Sequence, residues 1–288
     1  MYLAIISGLL AALAWGVSDY FITGPTRVLG QYRTTAYAML FSTLVLIPFL
    51  LYTGINFDIS PMVLLFAVLA SIGAFLGFFF AYRSFKHGDL SITAPIVGSY
   101  PAIIVIGSVL ILGDSLTLIE IISIVVIIIG IILLSTKLSV LKSKRRFVAA
   151  GVGSAVAGMF FLGTPMLFAG AYIAVIGFVV LSIMFRGISS ASGFVTGIAA
   201  KQDMRLPGRR YILPVIAAGA TDAVGVLIFL YGVQIKSSNL PIISALAGLA
   251  GAVTVVCALI LLKERPEKNQ WLGIALALIG VVVLSYFS

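Results

Sequence analysis

Residues 86–102 of this chain read KHGDLSITAPIVGSYPA, and residues 236–252 read KSSNLPIISALAGLAGA. The two stretches can be aligned with a constant offset of 150 residues. The alignment continues without a gap in both directions. It pairs Lys86 with Lys236, Leu90 with Leu240, Gly98 with Gly248, Ala102 with Ala252, Asp114 with Glu264, Gly130 with Gly280 and Ser135 with Ser285. Apolar matches arise easily in an apolar chain, whereas matched glycines and polar residues do not. The chain is therefore predicted to contain two copies of one unit.

The composition places both copies in a membrane. Of the 288 residues, 61% are hydrophobic and 9% are charged, and the mean hydropathy is +1.22. A soluble domain averages roughly a quarter charged residues. This balance excludes a soluble enzyme and a nucleic-acid binder, and it makes the lipid bilayer the main surroundings of the chain.

Polar breaks divide the chain into ten apolar stretches, each near the length of about 20 residues that a spanning helix needs. The predicted spans are 2–23, 33–53, 61–84, 90–112, 117–136, 147–164, 167–187, 210–235, 239–262 and 268–286. The division between the sixth and seventh spans is placed at Gly163-Thr164-Pro165, because proline disfavours helix in the residue before it; nine spans would follow if that division were absent. Residues 188–209 are predicted to form an interfacial loop.

These spans predict an all-α integral membrane protein with ten transmembrane helices arranged as two five-helix repeats. The first repeat covers residues 1–136, a basic linker covers 137–146 and the second repeat covers 147–288. Because five is odd, the second copy enters the membrane from the opposite side. Inverted repeats of this kind are typical of secondary transporters, which bind substrate near the midplane between the repeats.

The basic residues predict the orientation. Seventeen of the 18 Lys and Arg residues fall in or beside the odd-numbered connections, and only Lys236 falls in an even-numbered one. Basic loops stay in the cytoplasm. We therefore expect a multi-pass protein of the cell membrane with both termini on the extracytoplasmic side, provided that the helix count is even.

Asp222 and Asp19 are carboxylates within predicted spans, and they are the leading candidates for substrate binding and proton coupling. Asp222 lies near the middle of the eighth span, where a charge costs about 2.5–3.5 kcal/mol on insertion scales. Asp19 lies nearer to the end of the first span. Trp15 shares a helix face with Asp19, and an indole beside a carboxylate favours a cationic ligand. The alternatives are a structural hydrogen bond for Asp222 and an interfacial position for Asp19.

Aromatic residues and prolines supply the remaining candidates. Phe75, Phe79 and Tyr82 repeat at helical spacing in the third span, and Phe229 shares a face with Asp222. With Tyr100 in the fourth span, the candidate substrate contacts are Asp222, Trp15, Asp19, Phe79, Tyr82, Tyr100 and Phe229, although an aromatic stripe also serves packing. Pro95 and Pro101 break hydrogen bonds in the fourth span, which makes that helix the candidate gate.

Several of these motifs resemble a known family. Leu13-Ala14-Trp15-Gly16-Val17-Ser18-Asp19, the acidic positions in Leu112-Gly113-Asp114 and Leu262-Lys263-Glu264, and the glycines Gly130 and Gly280 are similar to those of the drug/metabolite transporter superfamily with paired EamA-like units. The resemblance covers nearly the whole chain. It implies ten helices around a central cavity walled by helices 1, 3, 4, 6, 8 and 9, with both termini in the cytoplasm. On that last point the count of basic residues predicts the opposite.

The residues favour a secondary active transporter of a small polar metabolite, such as an amino acid, an amine or a cationic compound. Asp19 and Asp222 lie within predicted spans and no basic residue lies deep in one, so the sequence favours a cationic substrate. A neutral sugar or nucleotide sugar is the alternative substrate, and a non-transporting structural or sensor protein is the alternative class. The chain lacks a nucleophile–base pair, a phosphate-binding Gly-Lys-Ser/Thr loop and a multi-residue metal site, so we expect no enzymatic activity, cofactor or metal. It is expected to act as a monomer or a homodimer.

Overall fold

The computed structural model describes residues 2–54, 59–88, 93, 96–136, 138, 151–262 and 267–287, and the predicted linker at 137–146 lies outside these residues except for Leu138. Every regular element in these ranges is helical. The helices are α1 Tyr2–Thr53, α2 Pro61–His87, α3 Tyr100–Gly107 with a π-helical turn Ser108–Leu112, α4 Leu118–Ser135, α5 Val152–Ile176, α6 Phe178–Ala199, α7 Arg209–Ile235, a 3-10 turn Ser237–Asn239, α8 Leu240–Ala247, α9 Ala250–Leu262 and α10 Lys268–Phe287.

Six helical stretches in the described ranges are long and apolar enough to cross a membrane. They are Tyr2–Thr53, Pro61–His87, Val152–Ile176, Phe178–Ala199, Arg209–Ile235 and Ser237–Thr254. Shorter apolar helices occupy Ile96–Leu112, Leu118–Leu134 and Lys268–Leu284. The prediction of an all-helical membrane protein is confirmed at this level.

Helix α1 is two helices joined at Gly30, whose φ of 80° and ψ of 167° are not helical. Glycine tolerates this positive φ because it has no Cβ. Both arms pack on α7: Ser7 lies against Gly232, and Ala38 lies against Gly219. The chain therefore reverses direction at Gly30, and the first arm, residues 2–29, extends beyond the predicted end at residue 23.

The boundary between the sixth and seventh predicted spans is wrong. Helix α5 continues through Pro165 and ends at Ile176, and the break lies at Gly177, which has a φ of 83°. Proline has no N–H group, so one carbonyl of α5 lacks its helical hydrogen bond. Because Pro165 packs against Gly73 of α2, this break faces the helix bundle, where it is tolerated. Residues 178–199 consequently form α6, and the predicted interfacial loop at 188–209 is reduced to a short connection at 200–208.

That short connection is fastened to the start of the second arm of α1. Arg33 donates hydrogen bonds to the carbonyl oxygens of Arg205 and Leu206, at 2.8 and 3.2 Å, and forms a 3.0 Å ion pair with Asp203. The Tyr37 hydroxyl donates to the Met204 carbonyl at 3.0 Å. One end of α1, α6 and α7 is thus held together by hydrogen bonds from two residues of α1.

Two helices are interrupted at positions that correspond under the 150-residue offset. The chain turns at Ser99, just before α3, and it turns again at Gly248 and Leu249, between α8 and α9. The two breaks meet in the bundle, because Pro101 lies against Gly248. The matching breaks are consistent with the predicted repeat.

Helices α4 and α10 pack at backbone distance through glycines. A methyl group on Gly273 would lie 2.7 Å from the Gly130 carbonyl oxygen and would also meet the Leu134 amide. We expect Gly273→Ala to force the helices apart and to lower the free energy of unfolding by about 1–3 kcal/mol. Chemical denaturation in detergent micelles measures this change. Gly153→Ala is the control, because a methyl group there meets no atom within 4 Å; equal stability of the two variants would contradict the prediction.

Candidate functional site

The centre of the bundle holds a buried ion pair between Arg186 of α6 and Asp222 of α7. Arg186 Nε lies 2.6 Å from Asp222 Oδ2, and Arg186 Nη2 lies 2.9 Å from Oδ1. The Ser42 hydroxyl, on the second arm of α1, donates to Asp222 Oδ2 at 2.7 Å. Arg186 is 1% exposed, Asp222 is 3% exposed and Ser42 is fully buried. Three helices are thus connected by one hydrogen-bonded charge cluster.

The cluster lies close to the middle of each helix that contributes to it. Asp222 is the central residue of Arg209–Ile235, and Arg186 is near the centre of Phe178–Ala199. The guanidinium also lies over the Phe78 ring of α2, 5.1 Å from its centroid. A charge pair at this depth costs desolvation energy and is a functional candidate for that reason.

The prediction that no basic residue lies deep in a span is therefore wrong. The predicted helix boundary at Gly163-Thr164-Pro165 puts Arg186 at the end of a span. A usable signal was present in the sequence: Ser189, Gly193 and Gly197 repeat at four-residue spacing, as small residues do where membrane helices pack. That spacing predicts that the helix continues beyond Arg186.

Trp15 and Asp19 lie on the first arm of α1, facing α7. The Trp15 ring packs on Phe229 at a centroid distance of 5.4 Å, and it fills the space beside Gly225. The Trp15 Nε1 donor is buried and has no hydrogen-bond partner among the described residues. Asp19 is one turn further along the same face, in the direction of Asp222.

Asp19 lies deeper than the sequence predicted. The arm spans residues 2–29, so Asp19 is about 5 Å past its middle at 1.5 Å per residue. The side chain is partly exposed, and within the described ranges its carboxylate forms no hydrogen bond and no ion pair. Asp19 also interacts electrostatically with Asp222. A carboxylate without a partner at this depth is available to a ligand.

Two of the predicted aromatic residues interact with the charged groups of this cluster. Tyr82 of α2 interacts electrostatically with Asp19, Asp222 and Arg186, and Tyr100 of α3 interacts with Asp19 and Arg186. Phe79 packs edge to face on Tyr32 at 4.8 Å and lies 5.9 Å from Phe75. These contacts make Phe79 part of a packed stripe, whereas the two tyrosines interact electrostatically with the charged groups.

The candidate gating residues are only partly described. Pro101 is buried at the start of α3, beside the break between α8 and α9. Pro95 lies outside the described residues. No group of three or more His, Cys, Asp or Glu residues that could hold a metal ion is found in the part of the chain that the structure describes.

The position of Trp15 depends on the absence of a side chain at Gly225. A methyl group there would lie 2.6 Å from Trp15 Nε1. We expect Gly225→Ala to displace the indole from Phe229 and to shift its fluorescence emission, measured in a Trp271→Phe background where Trp15 is the remaining tryptophan. Gly208→Ala, at a position with open space around it, is the control. An unchanged spectrum for Gly225→Ala would contradict the packing described here.

A helical bundle with unpaired and paired charges at its centre has the features of a membrane transporter. The family model of the EamA-like transporter family matches residues 2–136 and 149–286. The chain belongs to this family, whose members are membrane transporters and not enzymes. The two matched ranges cover nearly the whole chain, one in each half.

Two further proteins are similar to this chain. An uncharacterized protein of Methanocaldococcus jannaschii, MJ1333.1, is 35% identical over 132 residues, which are 46% of this chain and 96% of that protein. That relative is therefore about half as long as this chain. A solved structure, described as the crystal structure of a protein, has a TM-score of 0.78 at 17% identity and covers 98% of this chain and 97% of its own. The second similarity shows the fold alone.

Proposed function

We propose that the protein is a secondary active transporter of a small polar metabolite that carries an amine, such as an amino acid, an amine or another cationic compound. The observation that carries this proposal is Asp19, a carboxylate near mid-membrane without a partner among the described residues. Trp15 on the same face and the hydroxyl-bearing rings of Tyr82 and Tyr100 complete a site suited to an ammonium group.

The direct contact with the cation is assigned to Asp19 rather than to Asp222. Both oxygens of Asp222 accept hydrogen bonds from Arg186 or Ser42. Asp222 remains the candidate for coupling, because it holds Arg186 and also interacts electrostatically with Asp19. A proton or another gradient would then supply the energy.

The transport cycle is proposed to be alternating access by ten spans in two inverted five-helix units. The domain limits are those predicted from the sequence, 1–136 and 147–288 with a linker between them. The corresponding breaks before α3 and between α8 and α9 support this proposal. Pro101, at the meeting point of the two breaks, and Pro95 are the proposed gating residues.

Binding by the purified protein tests the proposed substrate class. A ligand of the folded state raises its apparent stability by mass action. We expect amines and amino acids to raise the melting temperature, and uptake into proteoliposomes to follow the same order of compounds. Stabilisation by neutral sugars or nucleotide sugars, with no effect of any amine, would contradict the proposal and support the second candidate, for which the aromatic lining is the favourable observation.

The proposed orientation has both termini outside the cell. It predicts that the 200–208 connection lies in the cytoplasm and that the 113–117 connection lies outside. Single cysteines at Gln202 and Ser115, both exposed, test this in a Cys257→Ser background. We expect a membrane-impermeant maleimide to label Ser115→Cys in intact cells and Gln202→Cys only after lysis. The reverse pattern would place the termini in the cytoplasm.

A further inference from the structure

Arg186 has a second edge that the ion pair with Asp222 does not use. A guanidinium is planar and can hold a carboxylate on its Nε/Nη2 edge or on its Nη1/Nη2 edge. Asp222 occupies the first edge. Nη1 is buried and has no hydrogen-bond partner among the described residues. A charged donor left unpaired at this depth is costly, which points to a ligand that pairs with it.

A second buried donor lies next to it on the same helix face. Ser189 follows Arg186 by three residues in α6, is fully buried, and its hydroxyl also lacks a partner within the described ranges. Residues three apart on a helix are neighbours. Two unpaired donors, one of them charged, therefore lie side by side in the middle of the bundle.

This donor pair and Asp19 lie at neighbouring levels of α7. The Ser18 hydroxyl, next to Asp19 in the chain, donates to the Ala218 carbonyl at 2.9 Å, and Ala218 lies one turn before Asp222, the partner of Arg186. Tyr82 and Tyr100 each interact electrostatically with both Asp19 and Arg186. The site therefore contains a carboxylate without a partner among the described residues and a cation with a free edge. A simple amine would pair with Asp19 and would leave Arg186 Nη1 without an acceptor. A molecule with an ammonium and a carboxylate would pair with both.

We infer that the transported substrate is a zwitterion of the α-amino acid type, whose carboxylate binds Arg186 Nη1 beside Ser189 and whose ammonium binds Asp19. This inference rests on the proposed transport function and narrows its substrate class. Asp222 and Ser42 act as positioning residues, because they fix the guanidinium plane through its other edge. The surrounding helices cover Nη1, so the carboxylate reaches it when the bundle opens.

Matched compounds test the inference on the full-length protein. Leucine is compared with isoamylamine and leucinamide, and phenylalanine is compared with phenethylamine and phenylalaninamide. Dissociation constants are measured by thermal stabilisation and isothermal titration calorimetry. A charge-assisted hydrogen bond is worth about 10- to 100-fold in affinity. We expect each amino acid to bind about 10- to 100-fold more tightly than its amine and its amide.

The variant pair removes the carboxylate site without leaving a lone buried charge. In Arg186→Met/Asp222→Asn, the affinity ratio of amino acid to amine is expected to fall to about one. Ser189→Ala, which leaves the ion pair in place, is expected to lower the same ratio to an intermediate value and serves as the second variant if the first does not fold. Size-exclusion profiles and melting curves without ligand report folding.

Three results would overturn the inference. Equal or tighter binding of the amine by the wild-type protein would show that the substrate is a simple cation. The proposed transport function would then stand, and the inference of a zwitterionic substrate would be rejected. An unchanged ratio in both folded variants would make Arg186 and Ser189 structural. Absence of binding for every amine and amino acid would remove the proposed function together with the inference.

Discussion

Replacing Asp19 with asparagine is expected to abolish transport and to weaken the binding of amine-bearing ligands by at least about 100-fold, or about 2.7 kcal/mol. The physical reason is that Asp19 is the unpaired carboxylate of the central site, so the variant removes the charge that an ammonium group would meet. Because Asp19 has no partner among the described residues, the free energy of unfolding should change little. Ligand titration and chemical denaturation measure the two quantities separately.

The control for Asp19→Asn is Asp114→Asn. Asp114 lies in the connection between α3 and α4, away from the central site. Its replacement by asparagine removes the same charge from the chain as Asp19→Asn does. Ligand affinity in this variant should equal that of the wild type. Wild-type affinity in Asp19→Asn would instead show that the ligand does not use this carboxylate, and a large loss of stability would show that Asp19 is structural.

The second large effect is expected from breaking the ion pair between Arg186 and Asp222. Removal of one partner leaves the other charged and buried, which costs about 3–5 kcal/mol. Arg186→Met and Asp222→Asn should each lower the free energy of unfolding by about this amount. The double variant carries neither charge and should be much closer to the wild type, because an uncharged buried pair avoids the desolvation cost.

A double-mutant cycle measures this coupling directly. Denaturation of the wild type, the two single variants and the double variant gives the interaction energy. The matched control is the exposed pair of Arg33 and Asp203, whose aspartate side chain is 62% exposed and whose coupling should stay below about 1 kcal/mol. Additive effects at Arg186 and Asp222 would contradict the buried geometry.

Composition and periodicity were sufficient to predict a helical membrane protein, because burial in lipid imposes long apolar helices on any such chain. Asp222 was identified for the same reason, since a carboxylate in an apolar run is conspicuous. Trp15 and Phe229 were both named as candidates, and they prove to be in contact. The contact itself depends on how two distant helices pack, which spacing within one helix does not give.

The partner of Asp222 was missed because of one boundary. Proline breaks a helix in water, but Pro165 is retained within α5 because it packs on Gly73 inside the bundle. The true break is at Gly177, which has a positive φ. Glycine adopts this conformation easily, but a glycine in the sequence does not show by itself that the helix ends there. The boundary at Gly163-Thr164-Pro165 instead puts Arg186 at a membrane surface. The resulting prediction of a purely anionic site followed from that assignment.

The contacts of Arg33 and Tyr37 described above constrain how the protein can move. They join the second arm of α1 to the 200–208 connection at one membrane surface, while Ser42, Asp222 and Arg186 join the same helices at mid-depth. Helices fastened at two levels cannot tilt independently. In the proposed transport cycle, we therefore expect the second arm of α1, α6 and α7 to move as one rigid body. The close contact of Gly8 and Gly16 with α8 and α9 is then the surface along which helices would slide.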